Sequence, residues 1–168
     1  MQNPIAHAHI IAAVAALLLG AVVFLNRKGT RLHVQMGIGY VVSMLIMNVT
    51  ALGIYRLTGN LNPFHVGAVF SLATVLAGWV PAIRRKPRDA WLRLHFEFMS
   101  WSYVGLVAAA FAEAGTRLPH APFVGAVLAS SIVVFLLGGM LVVRARARYF
   151  RDGAAAKMAA TPRWSSCC

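Results

Sequence analysis

The stretch "RLHVQMGIGY" at residues 31–40 marks a sharp change in the chain, because a basic segment ends there and a long apolar run begins. The stretch "RLHFEFMSWSY" at residues 93–103 has the same form. Each stretch places Arg, Leu and His at the start of an apolar segment. About 20 apolar residues suffice to cross the hydrocarbon core of a membrane as a helix. The two stretches therefore predict two membrane helices with similar starts.

The composition extends this prediction to the whole chain. Of its 168 residues, 60% are hydrophobic and only four are Asp or Glu. The polar surface is too small to cover a soluble globule. The sequence predicts an all-α integral membrane protein, with one transmembrane domain at residues 1–143 and a basic tail at 144–168 that is disordered at its end. Five apolar runs lie at about 5–25, 34–55, 64–83, 94–113 and 122–143.

The basic residues predict the orientation. Five spans put the termini on opposite sides, and short loops rich in Lys and Arg stay cytoplasmic. Of the 16 Lys and Arg residues, all but Arg56 and Arg117 fall on one side. We expect the N-terminus outside and the C-terminus in the cytoplasm, in an inner or plasma membrane. Charge clusters that flank membrane helices indicate the lipid bilayer as the partner, and no nucleic acid.

The chain also contains an internal repeat. At an offset of 58 the first helix falls on the third, and after a four-residue insertion "RLH" at 31–33 falls on "RLH" at 93–95. This pattern predicts a duplicated helical hairpin that forms a four-helix bundle, with the fifth helix beside it. Gly125 and Ala129, one turn apart, suit close packing of that fifth helix. The matched pairs are His7 with His65, Gly20 with Gly78, Arg27 with Arg85 and Lys28 with Lys86.

Four histidines form two layers in this arrangement. An imidazole inside a membrane span is costly unless it faces other helices, pairs or binds something, and two opposed imidazoles can ligate haem iron. The pattern predicts haem b and electron transfer, with two haems or one haem in a single layer. Alternatively, the histidines lie in the headgroup zone and the arginines are cytoplasmic anchors. The candidate ligands are His7 and His65 in the outer layer and His33 and His95 in the inner layer, with Arg31 and Arg93 near the haem propionates.

A second interpretation is a zinc or copper site on the outer side, formed by His7, His65, His120 and Glu113. His7 and His9 point about 200° apart on a helix, so only one can face the bundle, and the repeat favours His7. Glu113 is also spaced for an ion pair with Arg117.

A third interpretation is a non-enzymatic accessory or structural subunit of a larger membrane complex that binds no cofactor, whereas the haem interpretation requires a redox partner. The sequence has no Gly-rich phosphate loop, no Gly-x-Ser-x-Gly elbow and no Cys-x-x-Cys pair, so hydrolase or transferase chemistry is not expected. Cys167 and Cys168 are adjacent, which is unsuited to a structural disulfide. Asn48 and Thr50 predict a hydrogen bond between helices.

Three blocks resemble the DUF2306 group of small predicted membrane proteins, over residues 7–119. The resemblance implies a compact multi-span protein with recurring histidines, and it implies no particular activity. The helix layout is also similar to the four-helix core of cytochrome b561-type proteins, in which histidines on alternate helices hold two haems, without a shared sequence motif. The blocks are "RKGTRLHVQMGIGYVVSM" at 27–44, "NPFHVGAVFSLATV" at 62–75 and "RLHFEFMSWSYVGLVAAAFAEAGTRLP" at 93–119.

Overall fold

The structure, a computed structural model, describes residues 4–58, 63–117 and 122–160. Side chains are described for residues 4–54, 65–117 and 122–151. Every element in these ranges is a helix, which confirms the predicted all-α class. The helices are α1 (Pro4–Leu25), α2 (Arg31–Thr58), α3 (Pro63–Arg84), α4 (Trp91–Gly115) and α5 (Phe123–Ala160).

The turn between α1 and α2 explains why the apolar run restarts as a helix at Arg31. Gly29 adopts a φ of 81°, a left-handed conformation that glycine takes at little steric cost. Thr30 follows as the capping residue, since its side-chain oxygen accepts a hydrogen bond from the His33 backbone N–H at 3.2 Å. This cap satisfies one of the free donors at the start of α2. His33 is therefore held in the first turn of α2.

A stripe of small residues brings α1 against the bundle. Ala12, Ala16 and Gly20, each one turn apart, are the buried residues of α1. Small side chains at this spacing let helix backbones approach closely in a membrane. Several large apolar side chains of α1 point outward; Ile11 is 69% exposed and Leu25 is 87% exposed. This inverted pattern is the one expected of a helix whose outer face contacts lipid.

The first four helices form a closed ring. α1 contacts α2, α2 contacts α3, α3 contacts α4, and α4 contacts α1, while α5 packs on α4 outside the ring. α2 and α4 thus stand diagonally opposite each other. The centre of the ring is apolar and fully buried at Ala16, Met44 and Val75. Any residue of α2 that reaches α4 must cross this centre.

Helix α4 differs from the predicted membrane spans in composition. By length and apolarity four helices qualify as membrane spans among the described residues, and α4 does not. Its 25 residues would extend about 37 Å as a helix, more than the roughly 30 Å hydrocarbon core. Its lower hydropathy follows from its position, because α4 touches α1, α3 and α5 and needs less lipid-facing surface. The predicted fourth apolar span, at 94–113, is therefore a protein-packed helix.

Helix α5 is longer than predicted. It continues through the basic residues that follow position 143 and ends at Ala160, whereas residues 161–168, with both cysteines, lie outside the described part. The close approach of α5 to α4 occurs at Gly138, where a Cβ would lie 2.7 Å from the Val104 methyl carbons. It does not occur at the predicted pair, since a Cβ on Gly125 would meet the nearby Pro122 and Ala129 lines a groove.

Candidate functional site

The structure brings two of the four candidate histidines together. The rings of His33 on α2 and His95 on α4 lie 6.4 Å apart between centroids, with their planes at 90°. They approach from diagonally opposite helices, at the end of the bundle that carries the α1–α2 and α3–α4 loops. Both imidazoles are half-buried. The predicted meeting of His33 and His95 is therefore observed as a geometry, and their role as ligands stays a prediction.

The backbone of α3 orients the His95 ring. Its Nδ1 atom lies 3.0 Å from the carbonyl oxygen of Gly78. A carbonyl oxygen only accepts hydrogen bonds, so the neutral ring carries its proton on Nδ1 in this arrangement. The Nε2 atom then keeps its lone pair. A backbone carbonyl that fixes the tautomer in this way commonly supports metal-ligating histidines.

His33 has an unused ring nitrogen. Its Nδ1 atom is buried and has no hydrogen-bond partner. The backbone of Val23 and the Lys28 side chain interact with the imidazole. Because burial of a polar atom without a partner costs about 1–3 kcal/mol, the position favours a ligand that would bind this nitrogen.

Lys28 is fixed beside this pair. Its Nζ atom donates hydrogen bonds to the Val23 carbonyl oxygen at 2.6 Å and the Phe24 carbonyl oxygen at 3.0 Å. These carbonyls belong to the last turn of α1, where a cation is stabilised by the free carbonyl groups. Burial lowers the pKa of Lys28 from its ordinary value. The two predicted propionate partners, Arg31 and Arg93, are exposed at the same end of the bundle.

The opposite end of the bundle departs from the prediction. His7 is exposed, and His9 is the histidine of α1 that turns to α2. Its Nδ1 atom lies 3.0 Å from the Met47 carbonyl oxygen and 3.2 Å from the Thr50 hydroxyl. The inward orientation predicted for His7 is therefore wrong, because the stripe of small residues that faces the bundle continues toward His9. His65 is buried at the start of α3, with 6% exposure.

The alternative metal site is not assembled in the described residues. Within 4–58, 63–117 and 122–160 no group of three or more His, Cys, Asp or Glu residues is placed to hold an ion. Glu113 instead accepts a hydrogen bond from Arg117 at 2.7 Å, as its spacing predicted. Both side chains are exposed. His120, the fourth predicted ligand, lies outside the described residues.

Polar contacts in the bundle interior include several that the sequence did not reveal. Ser100 and Ser102 of α4 are buried, and the Ser102 hydroxyl lies 2.8 Å from that of Tyr40. The predicted hydrogen bonds of Asn48 and Thr50 are confirmed, since Asn48 reaches Ser71 at 3.2 Å and Thr50 meets His9. The reduced hydropathy of α4 was the available signal for the buried serines.

A protein-family match covers most of the residues that form this site and the helices around it. The family described as "Predicted membrane protein (DUF2306)" matches residues 6–150. The chain belongs to the DUF2306 family. The match includes all four candidate histidines and extends the resemblance at 7–119 through most of α5. No curated protein and no solved structure matches this DUF2306 chain.

Membership and structure together establish the coarse class. This DUF2306 protein is an integral membrane protein built from apolar helices, and the lipid bilayer is its environment. The family description states a membrane protein and no activity. Any chemistry therefore has to be argued from the side chains of the chain itself.

Proposed function

We propose that the protein binds one haem b at its basic end, through His33 and His95, and transfers electrons in the membrane. The observation that carries this proposal is the approach of the two imidazoles from opposite helices, at 6.4 Å between ring centroids. A low-spin haem takes one axial ligand from each side of the macrocycle.

The spacing suits a shared iron atom. Imidazole nitrogens bind first-row metals at about 2 Å. Two such bonds end to end separate the ligating nitrogens by about 4 Å, and one ring radius on each side brings the centroids to about 6 Å. The observed 6.4 Å agrees with this distance. Two histidines that met only by chance would need no such spacing.

The hydrogen bonding also suits ligation. His95 has its Nδ1 atom engaged by the Gly78 carbonyl, which leaves the other nitrogen available. His33 has a buried nitrogen without a partner. Haem iron would supply one-electron chemistry, and the chain would hold the group, orient it and limit water around it. These two ring nitrogens are suited to ligate haem iron, and this supports the proposal.

Basic residues around the pair supply the complementary charge. Haem propionates are anionic, and Arg31 and Arg93 each lie two residues before a histidine. Lys28 lies beside His33. Guanidinium groups bind carboxylates with two parallel hydrogen bonds. We assign the propionates to Arg31 and Arg93, which are exposed and able to turn toward the site.

A single haem fits better than two. The outer layer would need His7 and His65, but His7 is exposed and His9 is already engaged with Met47 and Thr50. The duplicated hairpin belongs to the same proposal. Two pairs of identical residues meet across the bundle: His33 with His95, and Tyr40 with Tyr103, the tyrosine rings being 6.3 Å apart. A pseudo-twofold axis that passes between both pairs explains their placement.

The proposal also includes an orientation of the protein in the membrane. Arg27, Lys28 and Arg31 flank the first loop, and Arg84, Arg85 and Arg88 flank the third. The positive-inside rule places this end in the cytoplasm, with the N-terminus outside and the C-terminus inside a plasma or inner membrane. The haem would then lie near the cytoplasmic surface, within reach of a cytoplasmic reductant.

The test is haem content. The protein should be expressed in haem-replete cells, purified in mild detergent and measured as oxidised and dithionite-reduced spectra. A Soret band, visible bands that sharpen on reduction and one haem per chain are the expected results. A colourless protein under these conditions rejects the proposal and favours the accessory-subunit interpretation.

A further inference from the structure

A long groove lies between α4 and α5, and Phe24 of α1 also lines it. Its volume is about 1130 Å³. The walls are made mostly of valine, leucine and phenylalanine side chains, including Val104, Phe111 and Leu137. The Ser130 hydroxyl at the groove donates to the Ala126 carbonyl of its own helix, so it presents little polarity to an occupant. The groove therefore favours an aliphatic chain.

One end of this groove carries positive charge. Arg144 and Arg148, one turn apart on α5, line it together with Ser100. Arg146, between them in sequence, points elsewhere and pairs with Glu97 of α4 at 3.1 Å. Neither Arg144 nor Arg148 forms an ion pair with a side chain that the structure describes.

The groove is long enough to hold a lipid chain. From Ala129 to Arg144 the groove follows 15 residues of α5, which is about 22 Å of helix. One leaflet contributes about half of the roughly 30 Å hydrocarbon core. An acyl chain of the leaflet on the basic side could therefore lie in the groove while its headgroup reaches the arginines.

We propose that this groove is a binding site for an anionic phospholipid, with one acyl chain between α4 and α5 and the phosphate held by Arg144 and Arg148. A guanidinium binds phosphate oxygens through paired, charge-assisted hydrogen bonds. Basic pockets between membrane helices on the cytoplasmic side recognise anionic headgroups in this way. The site is separate from the histidine pair and does not depend on a haem.

The experiment compares two lipids by native mass spectrometry. Delipidated full-length protein is mixed with phosphatidylglycerol or with phosphatidylcholine of the same acyl chains, and retained adducts are counted. Two arginines near the headgroup predict a preference for phosphatidylglycerol of about tenfold or more. Glycerol phosphate without chains should not displace the lipid, because the groove binds the acyl chain as well.

Matched variants locate the site. The double variant R144Q/R148Q should bind both lipids about equally, while R84Q/R88Q, which removes two exposed arginines on α3 and its loop, should keep the preference. Leu137→Trp, within about 10 Å of helix from Arg144, should obstruct the groove and lower retention without a change of charge. Equal binding of the two lipids by the natural protein, or an equal loss in R84Q/R88Q, would overturn the proposal. A lipid-free dimer that cross-links through Leu137→Cys in the groove would likewise overturn it, since a second copy would then cover the groove.

Discussion

The hydroxyl oxygens of Tyr40 and Ser102 lie 2.8 Å apart across the centre of the bundle and join the diagonal helices α2 and α4. Both residues are buried, with 2% and 1% exposure. Ser102 also donates to the Met99 carbonyl at 2.9 Å. The Tyr40 hydroxyl is therefore the donor between the two side chains, and Ser102 is its acceptor.

The direction of this hydrogen bond predicts an asymmetry between two substitutions. Ser102→Ala leaves the buried Tyr40 hydroxyl without its acceptor and should cost about 1–3 kcal/mol of unfolding free energy. Tyr40→Phe removes the donor, leaves Ser102 bonded to Met99, and should cost less. Unfolding in mixed detergent measures both values. Additive effects in the double variant would show that the two hydroxyls do not interact.

Glycines in the helices should differ sharply in their tolerance of a methyl group. A Cβ on Gly20 would collide with the Tyr103 ring, whereas a Cβ on Gly105 would meet nothing within 4 Å. Gly20→Ala should destabilise the bundle by about 1–3 kcal/mol. Gly105→Ala should be neutral or stabilising by up to about 1 kcal/mol, because alanine favours the helix. Thermal unfolding in detergent compares them, and equal effects would contradict the packing of α1 against α4.

The ion pair between Glu97 and Arg146 should hold α5 on α4. Their side chains are 23% and 42% exposed, against 54% and 71% for Glu113 and Arg117. Glu97→Gln should therefore cost up to about 1 kcal/mol, and Glu113→Gln, as the matched control, about 0.5 kcal/mol or less. Unfolding free energies at low and high salt provide the measurement. A larger effect at Glu113 would contradict the assigned partners.

Cysteine labelling in whole cells should reveal on which side of the membrane each end of α4 lies. With Cys167 and Cys168 replaced by serine, Thr116→Cys should react with a membrane-impermeant maleimide, and Asp89→Cys should react only after the cells are opened. The two residues lie at opposite ends of α4, so the result also shows whether this less apolar helix spans the membrane. Labelling of both sites from outside would exclude a spanning α4.

The fold was largely predictable because a long apolar run in the sequence predicts a membrane helix. The starts of α2 and α3, within three residues of the predictions, followed from local composition. The extension of α5 to Ala160 did not, since its basic part has no apolar run. The placement of α4 in contact with α1, α3 and α5 depends on packing between distant residues, which a single sequence does not specify.

The candidate site was only partly predictable, because its details also depend on packing between distant residues. The repeat placed His33 and His95 at one depth, and the structure brings their rings together. The choice between His7 and His9 required the rotation of α1, which the contacts of Ala12, Ala16 and Gly20 decide. The Gly78 carbonyl that orients His95 is a backbone group, so no residue type could have indicated it.

The central claim is that His33 and His95 hold a haem. Its most direct test is the reduced absorption spectrum of the purified variants H33A, H95A and H7A, each checked for a single symmetric peak by size exclusion. The account predicts that H33A and H95A lose the low-spin spectrum or most of the haem, while H7A keeps the spectrum of the natural protein. An unaltered spectrum in H33A and H95A would contradict it.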